Sequence, residues 1–153
     1  MRAVLLKRQQ PVTQSPLALL EVDEPQPAAD EVRLKVSVCA VCRTDIHIVE
    51  GDLALHRSPI VPGHQVVGRI DQVGAKVTRL RVGQRIGIAW LRYVDGTCRF
   101  CRRGRENLCL ASRYTGYDVD GGCPNQNEDI TADDGHSHPK RHRQMRGQRL
   151  RKD

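Results

Sequence analysis

The stretch from Glu31 to Val38 constrains this chain most, because Val32, Leu34, Val36 and Val38 alternate strictly with Arg33, Lys35 and Ser37. A period of two specifies a β-strand with one face in a core and the other in solvent. That strand delivers Cys39-Ala40-Val41-Cys42 at its far end. Loops at strand ends are where a rigid scaffold presents chemistry.

The flanking segments repeat the same grammar. Residues 2 to 7 read as a short strand, with its exit between Pro11 and Pro16, and Leu17 to Val22 as a second one closed by Asp23-Glu24-Pro25-Gln26-Pro27. Thr44 is expected to cap a short helix running to Glu50, with Asp45 favourable in its first turn and Gly51 at its end. Pro62-Gly63 forms a turn that hands His64 to a strand from Val66 to Val73, and Val82 to Ile88 is a further strand led by a turn. Aromatic residues make up only 3% of the chain, so Val, Leu, Ile and Ala must build the core. Short strands separated by Gly and Pro turns predict a mainly β fold with short helices, closed as a small barrel.

Two groups of residues carry chemistry. Cys42 and His64 are soft and borderline donors of the kind zinc takes, and Thr44 and His47 place proton-handling groups beside the thiol. Further along, Asp95, Cys98, Cys101 and Cys109 lie on a segment without apolar periodicity, which is expected to be a loop held by metal. Three thiolates at this spacing read as a structural zinc site lacking only a fourth ligand, which Asp95 either supplies through oxygen or, failing that, leaves the site impaired. The N-terminal segment meets charge too early for a signal peptide, and no apolar run approaches the roughly 20 residues of a membrane span. A cytoplasmic protein is expected, in which paired cysteines favour metal or thiol chemistry over disulfides.

Cys42-Arg43-Thr44-Asp45-Ile46-His47, Gly63-His64-Gln65 and the Cys98 to Cys109 cluster together resemble the N-terminal, GroES-like catalytic half of the zinc-dependent alcohol dehydrogenases, in the medium-chain dehydrogenase/reductase family. The resemblance covers residues 1 to 122. It implies oxidation of an alcohol to an aldehyde or ketone with NAD or NADP, in enzymes that are homo-oligomers. It also implies a catalytic zinc on Cys42, His64 and a third cysteine far downstream, for which this chain has no matching motif. By the same resemblance Thr44 holds the alcohol proton and passes it towards His47, Arg43 contacts the cofactor pyrophosphate, Trp90 lines the substrate pocket, and Asp45 orients His64. Gln65 stands where most relatives carry Glu, and Asp95 where they carry Cys.

Residues 123 to 153 change character. They hold 7 Lys/Arg and 5 Asp/Glu, leaving 18 against 13 upstream within an overall formal charge of +7, and the large apolar residues among them are Ile130, Met145 and Leu150. Such a segment is expected to be a disordered basic tail, and the abrupt change at Gly122 suggests a reading-frame shift. No Gly-x-Gly-x-x-Gly string for a dinucleotide occurs in the sequence, so the isolated chain is expected to be inactive. The alternative is a non-enzymatic zinc-held module whose tail, with His136, His138 and His142, contacts nucleic acid.

Overall fold

The computed structural model describes residues 1–122 and 129–133. Among the described residues eight strands and one α-helix form: β1 (Arg2–Leu6), β2 (Leu17–Glu21), β3 (Glu31–Ala40), α1 (Arg43–Glu50), β4 (Gln65–Val73), β5 (Arg85–Ile88), β6 (Leu91–Tyr93), β7 (Arg113–Tyr114) and β8 (Asp129–Asp133). The strands sort into a four-stranded sheet in the order β5-β4-β3-β8 and two hairpin-like pairs, β1-β2 and β6-β7. All of these pairings are antiparallel. Main-chain bonds between Leu6 and Ile60 tie the β1-β2 pair to the segment that leads into His64.

The expected alternation of β3 holds for Val32, Leu34 and Val36, which are buried with Val66 and Ile70 of β4. Each such side chain contributes about 1.5–3 kcal/mol relative to exposure. It fails at Val38, which is 53% exposed. A register shift between Val36 and Val38 inserts a bulge opposite Gly68–Val67, and a bulge turns the following side chains to the other face. Cys39 consequently packs against the core, and Val38 faces the cleft beside His64.

The helix begins two residues earlier than expected. Cys42, rather than Thr44, is the N-cap, and Gly51 ends the helix in the left-handed conformation. The amide of Cys42 donates to Asp45 Oδ2 at 2.9 Å, so the carboxylate three residues on satisfies a donor that the helix itself leaves open. Ile48 and Val49 bury the opposite side of the helix against Leu6 and Ile60, with Trp90 and Tyr117 at the margin of that cluster.

The segment expected to be a disordered tail includes one described strand. Asp129–Asp133 pairs with β3, Ile130 opposite Leu34 and Asp133 opposite Glu31. A strand added to a sheet edge is held by main-chain hydrogen bonds, which require no apolar composition. Residues 123–128 and 134–153, including Cys123 and the histidines of the tail, lie outside the described residues. Among the described residues no helix is long and apolar enough to cross a membrane.

Candidate metal centres

The first centre forms where the end of β3, the start of α1 and the turn before β4 meet. Cys42 Sγ lies 3.1 Å from His64 Nε2, and His64 Nδ1 lies 3.1 Å from Asp45 Oδ1. Asp45 and His64 are both buried, at 5% exposure each. The carboxylate is placed to accept a hydrogen bond from Nδ1–H, the tautomer that leaves the Nε2 lone pair facing the thiol. Zinc–sulfur and zinc–nitrogen bonds of about 2.3 and 2.1 Å let one ion reach both donors across this gap. Asp45 Oδ1 also accepts the Gly63 amide at 3.2 Å. With Oδ2 on the Cys42 amide, both oxygens hold the scaffold, so Asp45 orients the ligands rather than joining them.

The neighbours expected from the sequence lie on α1 and along the cleft beside His64. Thr44 sits half-buried in the first turn of α1, and His47 follows at i+3, the spacing that brings two helical residues onto one face. His47 Nδ1 meets Asp52 Oδ2 at 2.6 Å near the surface. Arg43 and Gln65 are exposed, the latter on an open cleft of about 560 Å3 lined also by Val38, Ala40, His64, Ile88 and Trp90. Trp90 presents its ring edge-on to His64 at 4.8 Å. Another cavity, of about 490 Å3 and lined by Ala3, Leu5, Val61, Glu31 and Arg92, contains none of these donors.

An aromatic wall behind Trp90 is not legible in the sequence. Tyr114 stacks on Trp90 at 4.8 Å and Tyr117 at 5.9 Å. The Tyr117 hydroxyl donates to the Ala54 carbonyl at 2.8 Å and meets His56 Nε2 at 3.1 Å, while His56 Nδ1 meets Asp118 Oδ1 at 2.6 Å. Burial, and then the charge of Asp118, push the Tyr117 hydroxyl above its ordinary pKa and keep it a neutral donor. The Tyr114-Thr-Gly-Tyr117 spacing is the only linear trace of this arrangement, and nothing in it points to Trp90.

Two glycines let the wall approach the metal-binding turn. A Cβ on Gly121 would stand 2.0 Å from the Gly63 carbonyl oxygen, and one on Gly116, whose φ is +75°, would stand 2.8 Å from the Gly63 amide. Both obstacles are backbone, which cannot swing away. Gly121→Ala is therefore expected to displace the Gly63–His64 turn and destabilise the domain by roughly 2–4 kcal/mol, read as a lower denaturation midpoint. An unchanged midpoint would contradict this close approach.

The second centre gathers Asp95, Cys98, Cys101 and Cys109, with one ligand atom from each and all four within 4.8 Å of one another. Cys98 Sγ and Cys101 Sγ are 3.6 Å apart, and the Asp95 amide donates to Cys109 Sγ at 3.4 Å. Two short 3-10 turns, Cys101–Arg103 and Glu106–Leu108, shape the loop, and Val94, Cys101 and Cys109 form its small buried cluster. Amide donors on Cys98 and Thr97 hold the Asp95 carboxyl down at about 2. The Cys101 amide lowers the Cys98 thiol, whereas burial and the adjoining Cys98 and Cys109 sulfurs push Cys101 up to about 12. Crowded sulfurs that resist losing their last proton are the environment that a dication relieves, since it favours the thiolate. The donor set fits zinc.

A β-rich domain with a Cys/His pair steadied by a carboxylate, and a separate loop of three sulfurs and a carboxylate, defines a zinc-protein architecture. The family model for the alcohol dehydrogenase GroES-like domain matches residues 28–139, and the chain belongs to that family. The matched range passes Gly122 and takes in β8. The chain is 47% identical over 127 residues to the protein called probable alcohol dehydrogenase AdhA of Mycobacterium tuberculosis, covering 80% of this chain and 37% of that one. It is also similar to the cobalt- and zinc-bound thermostable alcohol dehydrogenase of Pyrobaculum aerophilum, with a TM-score of 0.77, 25% identity, and coverage of 87% of this chain and 39% of that chain. A third likeness is to the protein described as a short chain alcohol dehydrogenase of Escherichia coli CFT073 in complex with NADH, with a TM-score of 0.74, 31% identity, and coverage of 88% of this chain and 36% of that chain. The chain thus spans little more than a third of the proteins it matches.

Proposed function

We propose that this chain supplies the metal-binding, substrate-facing part of a zinc-dependent alcohol dehydrogenase, an oxidoreductase that takes an alcohol to an aldehyde or ketone with NAD or NADP. The observation that carries the reading is the buried Asp45–His64–Cys42 relay, with each link at 3.1 Å and Trp90 edge-on to it. Zinc, when bound, supplies Lewis acidity at an alcohol oxygen. Cys42 and His64 would hold it, and Asp45 would keep the histidine in the tautomer that can ligate. Thr44, one helical turn from His47, holds the alcohol proton, and His47 with Asp52 hands it to solvent. Trp90 and the tyrosines behind it bound the substrate side, Arg43 would contact the cofactor phosphates, and Gln65 leaves the rim of the site neutral. Asp95, Cys98, Cys101 and Cys109 hold a structural zinc.

The domain extends beyond Gly122, supported by the family match through residue 139 and the pairing of β8 with β3. The decisive experiment fuses residues 1–139 to the remaining two thirds of the Mycobacterium tuberculosis relative. Alcohol-dependent NAD or NADP reduction by the fusion, lost in Cys42→Ala, is the expected result. A folded, zinc-loaded fusion that turns over no primary or secondary alcohol would overturn the reading.

A further inference from the structure

The C-terminal end of α1 is closed by a side chain from the exit of β1. Gln9 Nε2 donates to the Ile48 carbonyl at 2.6 Å and to the Leu53 carbonyl at 2.7 Å, while Gln9 Oε1 accepts the Leu55 amide at 3.3 Å. Two carbonyls and one N–H leave a single orientation for this amide, and glutamine supplies both the donors and the acceptor. Ile48 lies in the last turn of the helix, where carbonyls have no intrahelical partner. Gly51 and Leu53 both donate their amides to the His47 carbonyl at 3.1 Å, so Asp52 is anchored through each of its neighbours. The Tyr117 hydroxyl holds the next carbonyl, that of Ala54, at 2.8 Å. Loop 52–55 is thus pinned by the aromatic wall and by Gln9 together. At its head, Asp52 Oδ2 meets His47 Nδ1 at 2.6 Å. A carboxylate only accepts, so this contact selects the Nδ1–H form of neutral His47 and leaves the lone pair on Nε2.

We propose that Gln9 is a positioning residue for proton transfer at His47: its side-chain amide ties loop 52–55 to the end of α1, which keeps Asp52 on Nδ1 and makes Nε2 the basic nitrogen. The proposal rests on the reading of His47 as the group that receives the alcohol proton. A proton passed on from Thr44 needs a lone pair to land on, and Nε2 offers one only while Nδ1 carries the hydrogen. Gln9 is uncharged, so its effect travels through the geometry of the loop rather than through an electric field.

The test uses the full, zinc-loaded chain. Ring-nitrogen chemical shifts at alkaline pH, where imidazoles are neutral, report the tautomer of His47, with His47→Gln identifying its signals. Amide hydrogen exchange at neutral pH reports the clamp at Leu55. In the parent, His47 is expected in the Nδ1–H form and the Leu55 amide is expected to be protected. Gln9→Met keeps the length without the amide, and Gln9→Glu keeps the shape but turns an acceptor towards two carbonyls. Both are expected to move His47 to the Nε2–H form that a free imidazole prefers in water, and Gln9→Met to speed Leu55 exchange at least about tenfold. Trp90 fluorescence shows that each variant is folded. Glu50→Ala cuts a different tie between the same segments, from the Val12 amide to Glu50 Oε1 at 3.2 Å, and is expected to move neither signal. Asp52→Ala is expected to switch the tautomer by itself, with no further change when Gln9→Met is added. A parent in the Nε2–H form, a freely exchanging Leu55 amide, a folded Gln9 variant that keeps the Nδ1–H form, or Glu50→Ala acting like Gln9→Met would each overturn the proposal. None of these results touches zinc binding at Cys42 and His64, whereas an inactive fusion overturns the reading of function and leaves the tautomer as measured.

Discussion

Replacing Cys101 by Ser is expected to strip the metal from the loop centre and expose residues 95–109 to trypsin, with the zinc content of the chain falling by one equivalent. Cys101 is buried with Cys109 and Val94 in a cluster too small to order a loop by hydrophobic burial alone. The two 3-10 turns around it are each three residues long, below the length at which helical hydrogen bonds sustain themselves. Metal ligation is therefore the term that holds the loop. Structural zinc contributes an apparent 10–16 kcal/mol in small zinc-folded peptides. Losing one of four ligands should weaken binding by more than about a thousandfold, roughly 4 kcal/mol. Arg99, Arg102, Arg103 and Arg105 are exposed on the loop and provide the cleavage sites. The metal-loaded parent should resist cutting there, and the variant should be cut at least about tenfold faster. Equal zinc content and equal cleavage rates would show that packing, not metal, orders this segment.

Asp45→Ala is expected to damage stability and the first centre together. One carboxylate receives the Cys42 amide, the Gly63 amide and the His64 Nδ1 proton, and it is 5% exposed. Its removal deletes the cap of α1, at a cost of about 1 kcal/mol. It also strands buried donors at roughly 1–3 kcal/mol each, only part of which water can recover. A total near 3 kcal/mol follows, read as a lower urea midpoint. Trp90 is the single tryptophan of the chain and lies 4.8 Å from His64, so its fluorescence reports the site as well as the unfolding. Zinc affinity at Cys42 and His64 should fall 10- to 100-fold, as expected when the group orienting a histidine ligand is lost. Asp45→Asn should recover part of the stability, because Oδ1 can still accept while the amide nitrogen opposes the Cys42 amide. If both variants keep the parental midpoint and metal affinity, Asp45 does not organise the centre.

The two centres differ in how openly the sequence displays them. The loop centre is local: Asp95, Cys98, Cys101 and Cys109 lie within fifteen residues, so their spacing points to a common site, and the structure brings the same four together. Cys42 and His64 are 22 residues apart, and their pairing was visible only through the motifs around them. The aromatic wall was not visible at all. Trp90, Tyr114 and Tyr117 meet because β6 pairs with β7, and a three-residue strand facing a two-residue strand leaves too little periodicity to detect. The start of α1 was displaced by two residues for a related reason. Thr44 is the better cap by type, but the buried position of Asp45 decided that Cys42 should occupy that place.

By itself, the sequence determined the β-rich class, the principal strands, the helix after Cys42, the loop centre and the family, since each rests on short-range periodicity or on donor spacing along the chain. Only the tertiary structure decided that Val38 leaves the core at a bulge, that Gly63 is pressed by Gly116 and Gly121, that Asp129–Asp133 closes the edge of the main sheet, and that one carboxylate serves a helix cap, a turn and a histidine at once. Those outcomes come from cross-strand register and from hydrogen-bond demand in a buried space. Both are set by which distant segments meet, and no local pattern encodes that.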